Sequence, residues 1–271
     1  MTTPTLFVPT SASKLAILGD VHIGIHDDAA LRLLVEVFER EGCDFVVANG
    51  DIHDCAAVSR HSSKAALARL ESGQLAEEIQ GGRWFVDWLR TRPCIYGVGN
   101  HEDWINDLAL NTGTVGTLTV ARALGLPETE GIFTIAPHGY QVRAGSLVIE
   151  HGDCIFPRSG GGPSNLAGRI LQLFPGQTTL VGHFHRQHAA WATHLDSAGV
   201  PRSHAAFSVG HVSRVDAHAE YAGRAPNWQQ GAAIVDLWQD AGKTRYSVHL
   251  IEVHRTRYGR PILEHNGRVY R

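Results

Sequence analysis

The sequence predicts an α/β fold built around a parallel sheet, and two observations predict it. Over roughly the first hundred residues, short apolar runs of strand length alternate with longer segments whose apolar residues recur at helical spacing. Polar clusters close the apolar runs, where loops leave the carboxyl ends of parallel strands. The chain has 271 residues, 43% hydrophobic and 19% charged, which is enough apolar material for a sizeable core.

Met1–Ser13 is polar and proline-bearing, without the apolar stretch of a signal peptide, and reads as a tail. Lys14–Leu18 reads as a buried strand ending at Gly19-Asp20. In Ala29–Glu41, Leu31, Leu34, Val35 and Phe38 make one apolar face of a helix that Gly42 stops. Phe45–Ala48 is a second strand, closed by Asn49-Gly50-Asp51. Lys64–Ile79 is alanine- and glutamate-rich and helical in pattern; after Gly81-Gly82, Trp84–Arg90 resumes with Trp84, Phe85 and Trp88 facing inward. Cys94–Val98 is the third strand. This order implies parallel strands joined by right-handed crossovers.

The pattern then turns β-rich. Ile132–Ile135, Gln141–Ala144 and Leu147–Glu150 read as short strands. A glycine-rich loop, Ser159–Pro163, precedes a helix over Asn165–Phe174, and Thr178–Val181 is again a strand. Ala189–His194, Ala205–Val209, Ala232–Trp238 and Tyr246–Val253 follow as strands. The second half is therefore expected to form a second sheet packed on the first. No linker or repeat divides the chain, so residues 1–271 read as one domain, with 255–271 as a terminal strand or arm.

The net charge of -3 gives no global basicity of the kind nucleic acid demands, although a local basic face stays open. Cys43, Cys55, Cys94 and Cys154 show no paired spacing, and no stretch is long and apolar enough to span a bilayer. A cytoplasmic protein with reduced thiols and no membrane partner is expected.

Five clusters carry the chemistry: Gly19-Asp20-Val21-His22, Gly50-Asp51-Ile52-His53-Asp54, Gly99-Asn100-His101-Glu102, His151-Gly152-Asp153 and Gly182-His183-Phe184-His185. Three of them directly follow apolar runs. Two divalent ions about 3.5–4 Å apart need a bridging carboxylate and several separate ligands. Asp51 is the natural bridge; Asp20 and His22 could reach one ion from a single extended segment. Asn100 adds an amide oxygen, and His151, His183 and His185 complete the shells. This mixture suits manganese, iron, zinc or cobalt better than calcium.

The five clusters, in this order from Gly19 to His185, resemble those of the calcineurin-like metallophosphoesterases. Val58-Ser59-Arg60-His61 and Asn227-Trp228-Gln229-Gln230-Gly231 look like small bacterial and phage-borne members. The resemblance implies a four-layer α/β/β/α sandwich of two mixed sheets, with a dinuclear centre at one edge. It implies one ion on Asp20, His22, Asp51 and His185, and a second on Asp51, Asn100, His151 and His183. It further implies His101 as the general acid and Asp54 as the carboxylate that orients it. In the protein Ser/Thr phosphatases an Arg-Gly pair follows the second aspartate. Here Cys55-Ala56-Ala57 follows Asp54, which points away from phosphoproteins.

The expected activity is hydrolysis of a phosphomonoester or phosphodiester by a metal-bridging hydroxide, on a phosphorylated small molecule or nucleotide-type substrate. Arg158 and Arg186, each just beyond a ligand cluster, are expected to grip substrate phosphate. A nuclease on DNA or RNA would use the same centre. An inactive metal-binding scaffold is the rival from another class, and a complete ligand set argues against it. His53 is expected to pack, and His26, His61, His138 and His188 to be ordinary histidines. Asp153 could be a further ligand but is expected to support a loop or a hydrogen bond behind a ligand, and Cys55 and Cys154 are expected to be small buried residues. Ser159–Pro163 lacks the Lys-Ser/Thr of a phosphate loop and reads as a rim. The arginine-bearing tail reads as a solvated face.

Overall fold

The computed structural model describes residues 3–59, 73–127, 132–156, 164–214, 216 and 227–271. In chain order the first elements are β1 (Thr5–Phe7), β2 (Lys14–Leu18), α1 (Asp28–Arg40), β3 (Phe45–Asn49), α2 (Gln74–Gly81), α3 (Arg83–Arg90) and β4 (Cys94–Gly97). Then come α4 (Asn100–Thr112), α5 (Val120–Ala123), β5 (Phe133–Ala136), β6 (Gln141–Ala144), β7 (Leu147–Glu150), α6 (Leu166–Leu173) and β8 (Thr178–Val181). β9 (Gln187–Leu195), β10 (Pro201–Val209), β11 (Gly231–Asp240) and β12 (Lys243–Glu252) follow. Three short strands close the chain: β13 (His254–Arg255), β14 (Pro261–His265) and β15 (Arg268–Tyr270).

Two six-stranded sheets form. One runs β12-β11-β2-β3-β4-β5, with β2 to β5 parallel and β11 antiparallel to both neighbours. The other runs β1-β6-β7-β8-β10-β9, parallel through β7, β8 and β10 and antiparallel at β6–β7 and β10–β9. Alternation along each strand decides what the faces meet. Ala16 and Leu18 of β2, with Val46 and Ala48 of β3, pack with Phe38 of α1, Phe85 of α3 and Trp104 of α4. Leu15, Ile17, Phe45 and Val47 point the other way, against Val142, Leu147, Ile149 and Leu180 of the second sheet. The outer face of that sheet packs Val181 and Ala206 against Leu166, Ala167 and Ile170 of α6. Helices, sheet, sheet and helix make the four layers. Burying a side chain such as Phe38 contributes roughly 1.5–3 kcal/mol.

Local chemistry sets the element ends. Asp27 caps α1 by accepting from Ala30 N, at 3.1 Å, and Gly42 follows the helix with φ +72°. Glu102 reaches back to Gly99 N at 3.0 Å and caps α4.

Two expectations are corrected, and two further features go beyond the sequence reading. The β-rich half does not form the second sheet by itself. β11 lies against the open edge of β2, pairing Ala233 with Ile17, so the last long hairpin completes the first sheet. Thr5–Phe7 is no tail but an edge strand parallel to β6. α4 has no counterpart in the sequence reading, because its polar first turn and sparse buried residues (Trp104, Ile105 and Ala109) blur the helical period. The terminal arm is a three-stranded sheet whose Leu263 and Tyr270 join the helix-side core. Of the helix expected over Lys64–Ile79, residues 64–72 lie outside the described residues, as do Arg60, His61 and Ser159–Pro163.

Candidate metal centre

Every cluster sits just beyond a strand: β2 delivers Asp20 and His22, β3 delivers Asp51, and β4 delivers Asn100 and His101. From the other sheet, β7 delivers His151, and β8 delivers His183 and His185. Each of these five strands runs parallel to a neighbour, so the ligands gather at the carboxyl ends. Bonds between and within the sheets fix the gathering. Asn49 Nδ2 donates to Glu150 O at 3.0 Å, Gly182 N to His151 O at 2.9 Å, and His183 N to Asp20 Oδ2 at 2.7 Å.

The loops bend sharply. Asp20, His22, Asp51, His183 and His185 all hold positive φ, between 50° and 65°. Such left-handed residues each cost on the order of 1–3 kcal/mol, and they cluster where structure is over-determined for a purpose. Glycines give the space: a Cβ on Gly99 would lie 2.2 Å from Asp51 Oδ1, and one on Gly50, at φ +82°, 2.5 Å from His151 Nδ1.

Two ligand groups result, with their donor atoms within 4.8 Å of one another. Asp20, His22 and His185 form one; Asp51, His151 and His183 form the other. Asp51 also stands with His22 and His101 in a third overlapping group, which places it between the two halves. His22 Nε2 faces His185 Nε2 at 3.2 Å, and His185 Nε2 is 3.3 Å from Asp20 Oδ1. His151 Nε2 lies 3.2 Å from both Asp51 Oδ2 and Asn100 Oδ1. The tautomers follow from the partners. His151 Nδ1 sits 2.9 Å from the carbonyl of Asn49, which can only accept, so Nδ1 carries a proton and Nε2 is the nitrogen left for a cation. His22 Nδ1 is held likewise by Asp54 Oδ1 at 2.9 Å. A carboxylate or carbonyl behind the imidazole is the usual support of a metal-bound histidine.

These residues fit cations. Asp20 is fully buried and its Oδ1 accepts no hydrogen bond. Burial pushes its carboxyl up, against the pull of His151. A buried carboxylate short of positive charge, beside two imidazole lone pairs, is a cation's ligand set.

His101 shares the third group with His22 and Asp51. Its Nδ1 donates to Asp54 O at 2.7 Å and lies 3.4 Å from Asp54 Oδ1, while Nε2 is 4.0 Å from Asp51 Oδ2. Burial works against its charged form, but Asp51 and Asp54 outweigh it and push the ring up to about 9. Asp54 is held well below the usual carboxylate range by His101 and His22, despite its burial.

Arg186 is buried, and its guanidinium donates to Asn227 O at 3.2 Å and Ser164 O at 3.5 Å. Those bonds tie two loops together. Arg158 lies outside the described residues. His53 packs as expected, fully buried, its Nδ1 2.8 Å from Tyr96 OH, and burial pushes it down to about 3. Cys55 is buried, but Cys154 is exposed, contrary to expectation, because it follows the His151 turn on the solvent side.

Sequence reading missed three supports. Glu102 accepts from Asp51 N, His53 N, Gly99 N and Tyr96 OH, knitting two clusters and β4 together. Asn49 links the sheets through both its side chain and its carbonyl. His211 stacks on His185 with ring centroids 5.0 Å apart, and Trp228 meets His185 edge-on at 4.6 Å. Glu102, Asn49 and Trp228 stood inside quoted segments; His211 gave no signal beyond residue type.

A family model described as calcineurin-like phosphoesterase matches residues 13–250. No curated protein matches significantly. Among solved structures, Yfce, a phosphoesterase from E. coli, aligns at 16% identity with a TM-score of 0.37, over 82% of this chain and 88% of that one. Vacuolar protein sorting 29 from Cryptosporidium parvum aligns at 11% with a TM-score of 0.41, over 88% and 97%. A dimetal phosphatase from Danio rerio aligns at 13% with a TM-score of 0.36, over 88% and 98%. Likenesses this distant carry no argument about activity. Among the described residues no helix is long and apolar enough to cross a membrane.

Proposed function

The chain belongs to the calcineurin-like phosphoesterases, and we propose that it hydrolyses phosphoric esters through a pair of divalent ions. Asp20, His22, Asp51 and His185 would hold one ion, and Asp51, Asn100, His151 and His183 the other. The observation that carries this reading is Asp51, the carboxylate that stands in ligand groups on both sides of the site. Bound there, the ions would supply a nucleophile at neutral pH and neutralise charge on the phosphoryl oxygens. Manganese, iron, zinc and cobalt suit the donor set.

The chain's own residues do the rest. Asp54 fixes the tautomer of His22 and holds His101 through its carbonyl, so it positions two imidazoles at once. With Nδ1 committed to that carbonyl, His101 carries its labile proton on Nε2, the atom nearer Asp51. From Nε2 the ring can donate to a departing oxygen. Arg186, which donates to the carbonyls of Asn227 and Ser164, is the described candidate for gripping substrate phosphate.

The substrate is a diester or a small phosphorylated, nucleotide-type molecule, not a phosphoprotein. What supports this is the segment after Asp54: Cys55, Ala57 and Val58 are buried, with no arginine among them to grip phosphate. A hydrolysis panel on manganese-reconstituted protein tests both statements. It compares phosphomonoesters, phosphodiesters, nucleotide pyrophosphates, single-stranded DNA and phosphopeptides. Turnover is expected on small esters. No turnover above a metal-only control would overturn the hydrolase, and fastest turnover of a phosphopeptide would overturn the substrate class.

A further inference from the structure

Beside the paired centre lies a second constellation that the reaction does not use. His138, in the turn between β5 and β6, places Nε2 2.7 Å from Asp153 Oδ2. Cys154 Sγ lies 3.8 Å from that same oxygen. Donor atoms of His138, Asp153 and Cys154 all fall within 4.8 Å of one another. Behind the ring, Asp103 Oδ2 sits 3.2 Å from His138 Nδ1, and Asn106 Nδ2 donates to Asp103 Oδ1 at 2.8 Å.

The geometry points to a separate mononuclear site for a borderline-soft divalent cation, zinc or cobalt, on His138 Nε2, Asp153 and Cys154 Sγ. Three features carry this. The donors are imidazole, carboxylate and thiol, a set that favours zinc and cobalt over manganese, magnesium or calcium. Three protein ligands leave a fourth tetrahedral position open. Asp103 holds the far nitrogen of His138 in the carboxylate–histidine arrangement that orients metal-bound imidazoles. Cys154 is exposed, which leaves an entry path. The 2.7 Å contact of His138 with Asp153 would open to the tetrahedral edge of about 3.4 Å, a side-chain adjustment. The site shares elements with the paired centre: Asp103 lies one helical turn after Asn100 on α4, and Asp153 two residues after His151. It nevertheless uses none of its ligands.

Cobalt titration of the full chain tests this by absorption, without any activity readout. Beyond the cobalt taken by the paired centre, a further equivalent should raise a thiolate-to-cobalt charge-transfer band in the near ultraviolet. Cys154→Ser, at an exposed position, should abolish that band while the visible cobalt absorption of the paired centre persists. Asp103→Asn should weaken the thiolate-linked equivalent by about 10–100-fold. Absence of the charge-transfer band in the wild type, with the paired-centre absorption present, would overturn the proposal. So would a band that survives Cys154→Ser, since the thiolate would then be another cysteine.

Discussion

Glu102 holds three backbone amides and a phenol, and Glu102→Gln should strand at least one of them. Oε2 accepts from Asp51 N and Gly99 N, both at 3.0 Å; Oε1 accepts from His53 N at 2.8 Å and from Tyr96 OH at 3.1 Å. The side chain is fully buried, so water cannot replace a lost partner. Glutamine keeps one acceptor oxygen. With that oxygen on the Asp51 and Gly99 amides, its NH2 group faces the amide of His53. Tyr96 can turn to accept, but the His53 N–H cannot. One stranded buried amide costs about 1–3 kcal/mol, and loss of charge from the surviving bonds adds about 1 kcal/mol. The total of roughly 2–4 kcal/mol is a large share of a typical stability of about 5–15 kcal/mol. At about 2–4 °C per kcal/mol, Tm should drop by roughly 4–16 °C. Thermal unfolding of the two proteins, each with and without cobalt, reads this directly. Because the Asp51 amide is among the four donors, cobalt affinity should fall as well. A variant with Tm within about 2 °C of wild type and unchanged cobalt affinity would refute the hub.

Asp51→Ala should bind neither ion tightly, since it removes the shared carboxylate and the acceptor of His101 N at 2.9 Å; wild-type metal content by elemental analysis would contradict the bridging role. His101→Asn should keep its metals and lose about 10²–10⁴-fold in rate, most on poor alkoxide leaving groups and least on an activated phenolate. Equal losses on the two kinds of substrate would place the acid elsewhere. Asp54→Asn should lose less rate than His101→Asn but also bind metal more weakly, because Asp54 supports His22 as well; metal affinity equal to wild type would count against that double role. Glu78 is pushed up from 4.5 to about 8, chiefly by burial, while it accepts from Cys55 N. The native state therefore holds a proton that the unfolded chain releases, and the contribution to stability falls as pH rises from about 4.5 to about 8. Denaturant unfolding across that range should show a shallower decline in Glu78→Gln; identical slopes would exclude Glu78 as the source.

Much of the scaffold was legible because it obeys local rules. β2, β6, β7 and β8 match their expected bounds, and α1 differs by one residue at each end, since period and stop signals act over a few residues. α4 was hidden because its first turn belongs to the site: Asn100, His101 and Glu102 serve chemistry and capping before they serve an apolar face. β1 was hidden because three residues in an edge strand carry too little pattern, and their pairing with Gln141–Arg143 is a long-range fact.

The sequence alone determined which residue types stand beyond which strands, and so the family and the metal-ligand chemistry. Donor identity is local, and five clusters in order survive without any geometry. Only the tertiary structure decided how those donors meet. The left-handed turns at Asp20, His22, Asp51, His183 and His185 sit among bonds between loops distant in sequence, such as His22 N to Asp51 O and His183 N to Asp20 Oδ2. The same holds for Glu102, whose four partners come from residues spread between 51 and 99. His138 read as an ordinary histidine until the fold set Asp103 behind it and Asp153 and Cys154 in front. A side chain's chemistry is written in its identity, whereas its partners are chosen by packing, and packing joins residues that no local pattern relates.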